Sequence, residues 1–332
     1  MVPLGYFRTS NTIDQDLIMK IYTSENNWYQ WKYNDDMFGR RTNGNQTLHT
    51  MYTRSNVAVN NFKEEMLLAA KSTMDHYAGL RPCVFFSGGS ESDLVLRAYK
   101  DIGSNPIAYI IRYENDLNIH DVSYAITICL MLNVEYKLID FNLGKFYEND
   151  AELVSEIAQI DRPRALPHLK FLDFVEDTKF AVYGIGDPRW DRSHNNYTRP
   201  ANWILVDQEH DTGWDKYLVH KGIPAIAQWF KWTPGIVLSY TKLNWFQNLI
   251  SDQYYGKLGV TSTKLIGYRE AYSDLLGRKK LTGFEKIDDL VSEFEAFLSK
   301  KYNGLIHRGT VERTLDELWM EITGHQYNVQ TK

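Results

Sequence analysis

Residues 83–93 read CVFFSGGSESD, a short apolar run followed at once by two glycines set among hydroxyls and carboxylates. The run CVFF (83–86) is typical of a buried strand, and residues 91–101 have the pattern of a helix that stops near Gly103. A strand that turns through Gly-Gly into a helix lets the backbone approach a ligand where a Cβ atom would clash. The stretch therefore predicts a ligand-binding loop at the end of a strand.

The same alternation of short apolar runs and helical stretches continues along the chain. Further strands are predicted at 106–112, 134–141, 180–184 and, as a fifth candidate, WILVD at 203–207. Helices are predicted from about residue 61, at 121–132 and at 149–160. This spacing indicates a parallel sheet covered on both faces by helices, in which ligands bind at the carboxyl ends of the strands.

From about residue 214 the pattern becomes mostly helical. The helix candidates there are 222–232, 236–250, 262–276, 286–301 and 310–322. We therefore predict the α/β class, with a parallel-sheet domain at 76–213 and a helical C-terminal region at 214–332. Residues 1–75 form a separate aromatic-rich N-terminal segment in this division.

Composition excludes several classes of protein. A net charge of −5 argues against a large non-specific nucleic-acid surface, and the chain has no CxxC or HExxH pattern for zinc. Cys83 and Cys129 lie in apolar surroundings, which is typical of buried thiols in a reducing compartment. Because no apolar run approaches 18 residues and the N-terminus has no signal pattern, we expect a cytoplasmic protein without a membrane helix.

The loop chemistry points to phosphate. A helix N-terminus presents unpaired N–H groups, and Ser87, Ser90 and Ser92 add hydroxyl donors. Glu91 and Asp93 would repel a phosphate unless a cation lies between them, and Mg²⁺ bridging carboxylate and phosphate oxygens meets that need. In the alternative interpretation, Gly-Gly is only a turn, a serine caps the helix, and the acids stabilise its first turn.

CVFFSGGSESD resembles the SGGxDS loop of the PP-loop (N-type) ATP pyrophosphatases, with Glu91 where that family has Asp. AVYGIGDPRW (181–190) is similar to the G-x-G-x-D-E motif of the asparagine synthase branch, and GRKKLTGF (277–284) is similar to its Arg-x-Lys and Gly-Phe motif. The resemblance covers roughly residues 76–290 and implies a HUP-like (adenine nucleotide alpha hydrolase-like) fold. Besides Glu91, the chain departs at Asp187, which arrives one position early, and at Pro188, which replaces the second acid.

This resemblance implies an ATP-dependent ligase that forms AMP and pyrophosphate. Such an enzyme adenylates a carboxylate or amide-type oxygen of a small-molecule acceptor and transfers it to an amine nucleophile. ATP and Mg²⁺ are the implied cofactors, with Glu91 and Asp187 as metal ligands. The implied nucleotide-binding residues are Ser87, Gly88, Gly89, Ser90, Ser92, Ile110, Arg112, Gly184 and Gly186, and the implied catalytic residues are Arg278, Lys279 and Lys280.

Residues that the chain lacks argue against some branches of the resembled family. Val2 stands where glutamine-dependent members have a catalytic cysteine, and residues 1–75 are too few for a glutaminase domain. Cys129, in the middle of an apolar helix face, is a poor nucleophile, so the sulfur-transferring branches are not expected. The nitrogen nucleophile is then a ready-made amine or ammonia. A homo-oligomer is compatible with the sequence.

Two alternative functions stay open. Glu91 and Pro188 are also compatible with a non-catalytic, nucleotide-binding or structural relative. A member that modifies a tRNA or DNA base is the second alternative, since the cluster NNWYQWKYNDDMFGRR (26–41) offers rings for stacking, and Arg40 and Arg41 for phosphates. The same cluster can instead be a packed segment whose rings cover the main domain.

Three further groups of charged residues have both a functional and a structural interpretation. Arg192 and His194 follow the second motif and are candidates for substrate contacts. An anion clamp or a surface loop would explain Asp161 with Arg162 and Arg164. Glu209-His210-Asp211 resembles a catalytic group in composition, but three polar residues before Thr-Gly are more typical of a loop.

Overall fold

The computed structural model describes residues 28–34, 36–37, 40–42, 44–56, 58–192, 203–250, 260–277, 281–302 and 309–327. Its strands are β1 (Tyr29–Tyr33), β2 (Asp36–Met37), β3 (Leu48–Tyr52), β4 (Arg81–Phe85), β5 (Ile107–Tyr113), β6 (Glu135–Phe141), β7 (Lys179–Tyr183), β8 (Trp190–Arg192), β9 (Trp203–Gln208), β10 (Ala225–Ile226) and β11 (Thr310–Thr314).

The α-helices alternate with these strands in the first half of the chain and dominate the second half. They are α1 (Phe62–His76), α2 (Ser90–Asp101), α3 (Ile119–Leu132), α4 (Leu143–Asn149), α5 (Ala151–Ala158), α6 (Leu166–Lys170), α7 (Thr212–Lys221), α8 (Pro234–Tyr240), α9 (Asn244–Ile250), α10 (Val260–Ala271), α11 (Asp288–Tyr302) and α12 (Leu315–Thr323). Within the described ranges, no helix combines the length and the apolar character needed to span a membrane.

A five-stranded parallel sheet forms the centre of the fold, in the order β10-β7-β4-β5-β6. In the central strand β4, Val84 is in register with Ala108 of β5 and Val182 of β7. The predicted α/β class with a parallel sheet is confirmed. The chain runs outward from β4 to β6 and then crosses back to β7 on the other side of β4, so the strand order reverses next to β4.

One predicted strand lies in a different sheet, and one predicted helix contains a strand. Strand 203–207 is present as β9, but it belongs to a separate antiparallel sheet, β11-β9-β8. The fifth parallel strand is β10, which lies inside the predicted helix 222–232. A strand of two residues is too short to show alternation, and Gly222 ends α7 with a φ of 63° just before it.

Other predicted helices differ in extent. The first part of the predicted helix 310–322 is strand β11, because Thr314 forms a capping box with Glu317 and starts the helix only at Leu315. The predicted helices 149–160 and 236–250 are each divided in the structure, the first at Asp150 between α4 and α5 and the second between α8 and α9. The division into three domains stays a prediction.

Side chains of the parallel sheet alternate between two cores. Val84 and Val182 contribute to the core that contains Leu94 of α2. Phe85 and Tyr183 point to the opposite face and belong to the core that contains α5, α6 and α7. The thiols of Cys83 and Cys129 are buried and form no disulfide, and burial raises the pKa of Cys129 to about 12. Both faces of the sheet are therefore covered, as the pattern predicts.

The aromatic N-terminal cluster is packed inside the molecule. Trp31 and Tyr33 are buried, and the Tyr33 hydroxyl donates to Glu209 Oε1 at 2.7 Å. Arg41 is also buried and forms two hydrogen bonds to the Glu209 carboxylate, at 2.9 and 3.0 Å. The Arg40 guanidinium donates to the carbonyl of Ile157 at 3.1 Å. These residues attach β1 to β9 and α7, and they do not form an exposed stacking platform.

Candidate functional site

A cavity of about 690 Å³ opens at the carboxyl ends of β4, β5 and β7. Its wall includes Ser87 after β4, Ile110 of β5 and Gly184 after β7. Because the strand order reverses between β4 and β7, the cavity lies at the topological switch point of the sheet. In open parallel sheets this is where ligands bind.

The glycine-hydroxyl loop forms one side of the cavity. Gly88 has a φ of 71°, and a Cβ there would lie 3.1 Å from the Tyr124 ring of α3, so glycine suits both the turn and the close packing. Gly89 is the N-cap of α2 without a side-chain cap, which leaves the first amides of the helix directed outward. Ser87 Oγ accepts from the Gly89 N–H at 3.3 Å, and Ser92 Oγ donates to the Gly89 carbonyl at 3.0 Å. The hydroxyls thus hold the loop in shape.

Gly184 brings the second motif against this loop. A Cβ at Gly184 would lie 2.9 Å from Ser92 Cα and 3.0 Å from Ser92 N. The end of β7 therefore touches the backbone of the first turn of α2. Only glycine allows this approach without a shift of the helix.

We expect Gly184→Ala to destabilise the fold by about 1–3 kcal/mol, because the added methyl group displaces the first turn of α2. Urea unfolding at equilibrium measures this change. Gly144→Ala is the matched control, since its Cβ in α4 meets no atom closer than 3.5 Å. Equal stability of Gly184→Ala and the parent protein would contradict the close packing.

The two acids predicted as metal ligands meet at a lysine. Glu91 Oε1 forms an ion pair with the Lys264 ammonium, and Asp187 Oδ2 lies 3.2 Å from the same Nζ atom. The hydroxyl of Tyr268, one helical turn after Lys264 in α10, donates to Asp187 Oδ2 at 3.3 Å. All four side chains are at least partly buried. The first and second motifs are therefore joined by α10.

Charge in this cluster is strongly coupled. Burial opposes ionisation of Glu91, but the Lys264 ammonium and hydrogen bonds from its own backbone and Ser90 lower the pKa of its carboxyl below the usual range. Burial also opposes protonation of Lys264, yet Asp187 and Glu91 raise the pKa of its ammonium. At neutral pH Glu91 is therefore a carboxylate and Lys264 an ammonium.

The end of β5 forms another part of the wall. Ile110 lines the cavity, and the buried Asn118 fixes the strand end by donating to the Ile111 carbonyl and accepting from the Tyr113 N–H, both at 2.9 Å. Arg112 does not reach the cavity, because its side chain pairs with Asp140 at 2.6 Å on the outer side of the sheet.

Not every predicted residue lines the main cavity. Gly186, with a φ of 85°, packs against Gln228 behind the rim, and a Cβ there would lie 2.9 Å from Gln228 Cβ. Gly88, Gly89 and Ser90 shape the loop without forming part of the wall. Their predicted contacts with a nucleotide stay predictions.

The predicted catalytic residues Arg278, Lys279 and Lys280 lie outside the described residues, as does His194. The residues directly after the basic run are anchored at the cavity: the Leu281 N–H donates to Asp121 Oδ1 at 3.0 Å, and Thr282 lines the wall.

Several of the other charged candidates are engaged by neighbouring protein groups. Glu209 is buried against Arg41, and Asp211 is paired with His210 at 3.0 Å. Arg162 contacts the His210 ring at 3.2 Å, and Asp161 is buried next to it in sequence. Arg164 pairs with Asp288 on the surface.

Lys264 and Tyr268 belong to the site residues that the sequence patterns did not identify. They stand four residues apart in α10, so they share a helix face, but the same spacing occurs in any amphipathic helix. Neither residue belongs to a glycine-rich or acidic motif. Only the packing of α10 onto the loop brings them to the site.

No family model matches this chain, and no curated protein matches it. Among solved structures, it is similar to NH3-dependent NAD synthetase from Campylobacter jejuni subsp. jejuni NCTC 11168 in complex with the nitrate ion, at 19% identity and a TM-score of 0.27. That match covers 36% of this chain and 54% of the synthetase, so the chain spans about half of the synthetase's length.

Two other structures match longer parts of the chain. A predicted subunit of tRNA methyltransferase from Methanocaldococcus jannaschii DSM is 16% identical with a TM-score of 0.29, covering 57% of this chain and 74% of that one. NMN synthetase from Francisella tularensis is 14% identical with a TM-score of 0.31, covering 75% of this chain and 95% of that one. Identities and TM-scores this low carry no conclusion about activity.

Proposed function

We propose that the protein is an ATP-dependent ligase that cleaves ATP between the α and β phosphates and releases AMP and pyrophosphate. The observation that carries the proposal is the convergence of the SGGSES loop, Asp187 and Lys264 on one cavity at the switch point of the parallel sheet. The resemblance of that loop to the PP-loop ATP pyrophosphatases supplies the reaction type.

In this proposal the pyrophosphate part of ATP lies on the loop. The first amides of α2 and the hydroxyl of Ser87 donate to its oxygens, helped by the positive end of the helix dipole, and the Ser92 hydroxyl joins them once it leaves the Gly89 carbonyl. The base lies toward Ile110 and Val122, where the wall is apolar and the end of β5 is held by Asn118.

Lys264 has a central role in the proposed mechanism. In the structure its ammonium is held by Glu91 and Asp187, within the cavity wall. Arrival of a polyphosphate gives this ammonium stronger anionic partners at the same place. Lys264 then stabilises negative charge that develops on the phosphates as the bond breaks, which is the main task of an enzyme that transfers phosphoryl groups.

The side chains of the site could supply part of the coordination sphere of Mg²⁺. Mg²⁺ in nucleotide sites is usually held by one or two carboxylates together with water and substrate phosphates. Glu91 and Asp187 supply two such carboxylates, whereas the described residues contain no cluster of three or more acids, histidines or cysteines. A bound Mg²⁺ would neutralise phosphate charge, and Glu91 and Asp187 would hold it beside Lys264.

The resemblance to the PP-loop ATP pyrophosphatases supplies the bond changes of the proposed reaction. An acceptor oxygen bonds to the α-phosphorus while the bond to the bridging oxygen of the β-phosphate breaks, and pyrophosphate leaves with the electron pair. An amine then attacks the adenylated carbon, AMP leaves, and the amine loses a proton to solvent. The protein contributes orientation of the two reactants and exclusion of water.

The test is product analysis with α-labelled ATP, Mg²⁺ and pooled metabolites that include acids and amines. We expect labelled AMP and free pyrophosphate, and Ser87→Ala should lower ATP affinity by removing a hydroxyl donor from the loop. Thr127→Ala, on an exposed part of α3, is the matched hydroxyl control. ADP as the product would refute the proposal, and unchanged ATP affinity in Ser87→Ala would refute the role of the loop.

A second candidate function is nucleotide binding without cleavage. The observation in its favour is that Glu91 and Asp187 are both already engaged by Lys264, so the ammonium occupies the place between them. ATP binding without any release of AMP would select this function. Glu91→Asp, which restores the residue of the resembled family, would then test whether the longer side chain is the reason.

A further inference from the structure

The cavity extends beyond the region assigned to ATP. On the face of the sheet opposite α2, its wall is formed by Phe85, Tyr183, His168 and Trp214, which we call the aromatic slot. The Phe85 and Tyr183 rings are stacked with centroids 4.6 Å apart and an interplanar angle of 19°. The Trp214 ring lies 4.6 Å from Tyr183 and 6.5 Å from His168. These rings give the cavity a second, largely apolar end.

The aromatic slot is rigid. The Tyr183 hydroxyl donates to the His168 carbonyl at 2.9 Å, which ties β7 to α6. Phe85, Tyr183 and Trp214 are each less than 9% exposed. Because these rings are already fixed by their mutual contacts, they offer a ligand ring system a preformed apolar wall of the cavity at little cost in conformational entropy.

One cation of the cavity wall, Arg189, has no part in the phosphate site proposed above. Among the described wall residues, Lys264 and Arg189 are the lysine and arginine side chains, and Lys264 is engaged by the two acids. Arg189 is two residues after Asp187, and its guanidinium donates to Gln208 Oε1 while lying 3.8 Å from Asp211. Its side chain is 42% exposed, so its remaining donors are accessible to a ligand.

Resting on the proposed function, we infer that the acceptor is an aromatic carboxylic acid. Its ring system lies in the aromatic slot, and its carboxylate is drawn to Arg189, whose planar fork of donors matches a carboxylate. Because Arg189 is close in sequence to Asp187, this arrangement places the carboxylate next to the predicted phosphate site. The product is the amide of that acid.

The reaction balances without any further reactant. One carboxylate oxygen bonds to the α-phosphorus, the bond between that phosphorus and the bridging oxygen breaks, and pyrophosphate leaves. The resulting acyl-adenylate reacts with an amine, which forms the amide bond, releases AMP and loses one proton to solvent. No electron transfer takes place.

Isothermal titration calorimetry of 2-naphthoate binding to the full chain, with and without Mg·ATP, tests this inference. We expect 2-naphthoate to bind at least about tenfold more tightly than cyclohexanecarboxylate, and Arg189→Gln to weaken it by about tenfold or more. Arg164→Gln, an exposed arginine paired with Asp288, is the matched control and should leave the affinity unchanged. Trp214→Leu should weaken 2-naphthoate binding while Mg·ATP affinity, measured in parallel, reports that the site is still folded.

Equal affinity for the two acids, or an unchanged affinity in Arg189→Gln, would overturn the inference. Competition between adenosine and 2-naphthoate would also overturn it, since the aromatic slot would then hold the base of the nucleotide. If 2-naphthoate binds in a manner that depends on Arg189 but neither AMP nor pyrophosphate forms, the ligase proposal fails and the assignment of the binding site stands. If pyrophosphate–ATP exchange depends on aliphatic acids alone, the ligase proposal stands and the aromatic acceptor is refuted.

Discussion

Asp207→Asn should lower the free energy of unfolding by about 3–5 kcal/mol, because it leaves the buried Lys231 ammonium without a carboxylate and the buried Arg313 guanidinium with Glu321 alone. Asp207 is 1% exposed. Its Oδ1 atom pairs with the Lys231 ammonium at 2.7 Å, and its Oδ2 atom pairs with the Arg313 guanidinium at 2.9 Å. Thr50 and Tyr52 donate their hydroxyls to the same carboxylate, at 2.9 and 3.1 Å.

The effect is large because this carboxylate connects distant parts of the chain. Its hydrogen bonds and ion pairs join β3, β9, the turn at Lys231 and β11. The urea midpoint at equilibrium measures the loss. Asp140→Asn, which removes an exposed partner of Arg112, is the matched control and should leave the midpoint unchanged.

A double variant tests whether the loss of stability comes from an unpaired buried charge or from a general disturbance of the packing. Adding Lys231→Met to Asp207→Asn removes the unpaired Lys231 ammonium, so the double variant should be more stable than Asp207→Asn alone. A double variant that is less stable than either single variant would contradict the charge explanation.

Lys264→Met is expected to lower the rate of AMP formation by about 10²–10³-fold, the size that follows removal of one group that stabilises charge in a transition state. The ammonium is held in the cavity by Glu91 and Asp187, with Asp187 Oδ2 at 3.2 Å. Without it the two carboxylates face the incoming phosphates alone. ATP affinity should therefore fall together with the rate.

Single-turnover formation of AMP measures the rate, and titration with a non-hydrolysable ATP analogue measures the affinity. Lys264→Arg should recover part of both, because the charge returns with a different shape. Lys301→Ala, on the outer face of α11 beside Glu152, is the control. A Lys264→Met variant with the parent's rate would exclude Lys264 from the mechanism and leave the ion pairs with a structural role only.

Much of the α/β core was predictable from local pattern. The strands 106–112, 134–141 and 180–184 lie within one residue of β5, β6 and β7, because buried parallel strands are continuous apolar runs. The two-residue strand β10 and the membership of β9 in another sheet were not predictable. Their pairing partners are residues 179–183 and 310–314, and no local signal reports a partner so distant in sequence.

The candidate site also contains some residues that the sequence predicted and others that it did not. Ser87, Glu91, Ser92, Ile110, Gly184 and Asp187 were all predicted and all line the cavity. Each follows or ends a predicted strand, and parallel strands place their carboxyl ends on one rim. Lys264 and Tyr268 were not predicted, since they come from a helix about 80 residues away from Asp187 whose docking depends on side-chain packing.

The sequence by itself determined the loop CVFFSGGSESD, its place at the end of a buried strand, and the acidic residues within it. Local conformation and strand polarity are properties of short segments, so they can be inferred from the residues alone. The tertiary structure decided that Lys264 lies between Glu91 and Asp187, and that Arg189 and the aromatic slot line one cavity. Those contacts depend on how α10, α7 and β9 pack around the sheet, and packing is set by the whole chain.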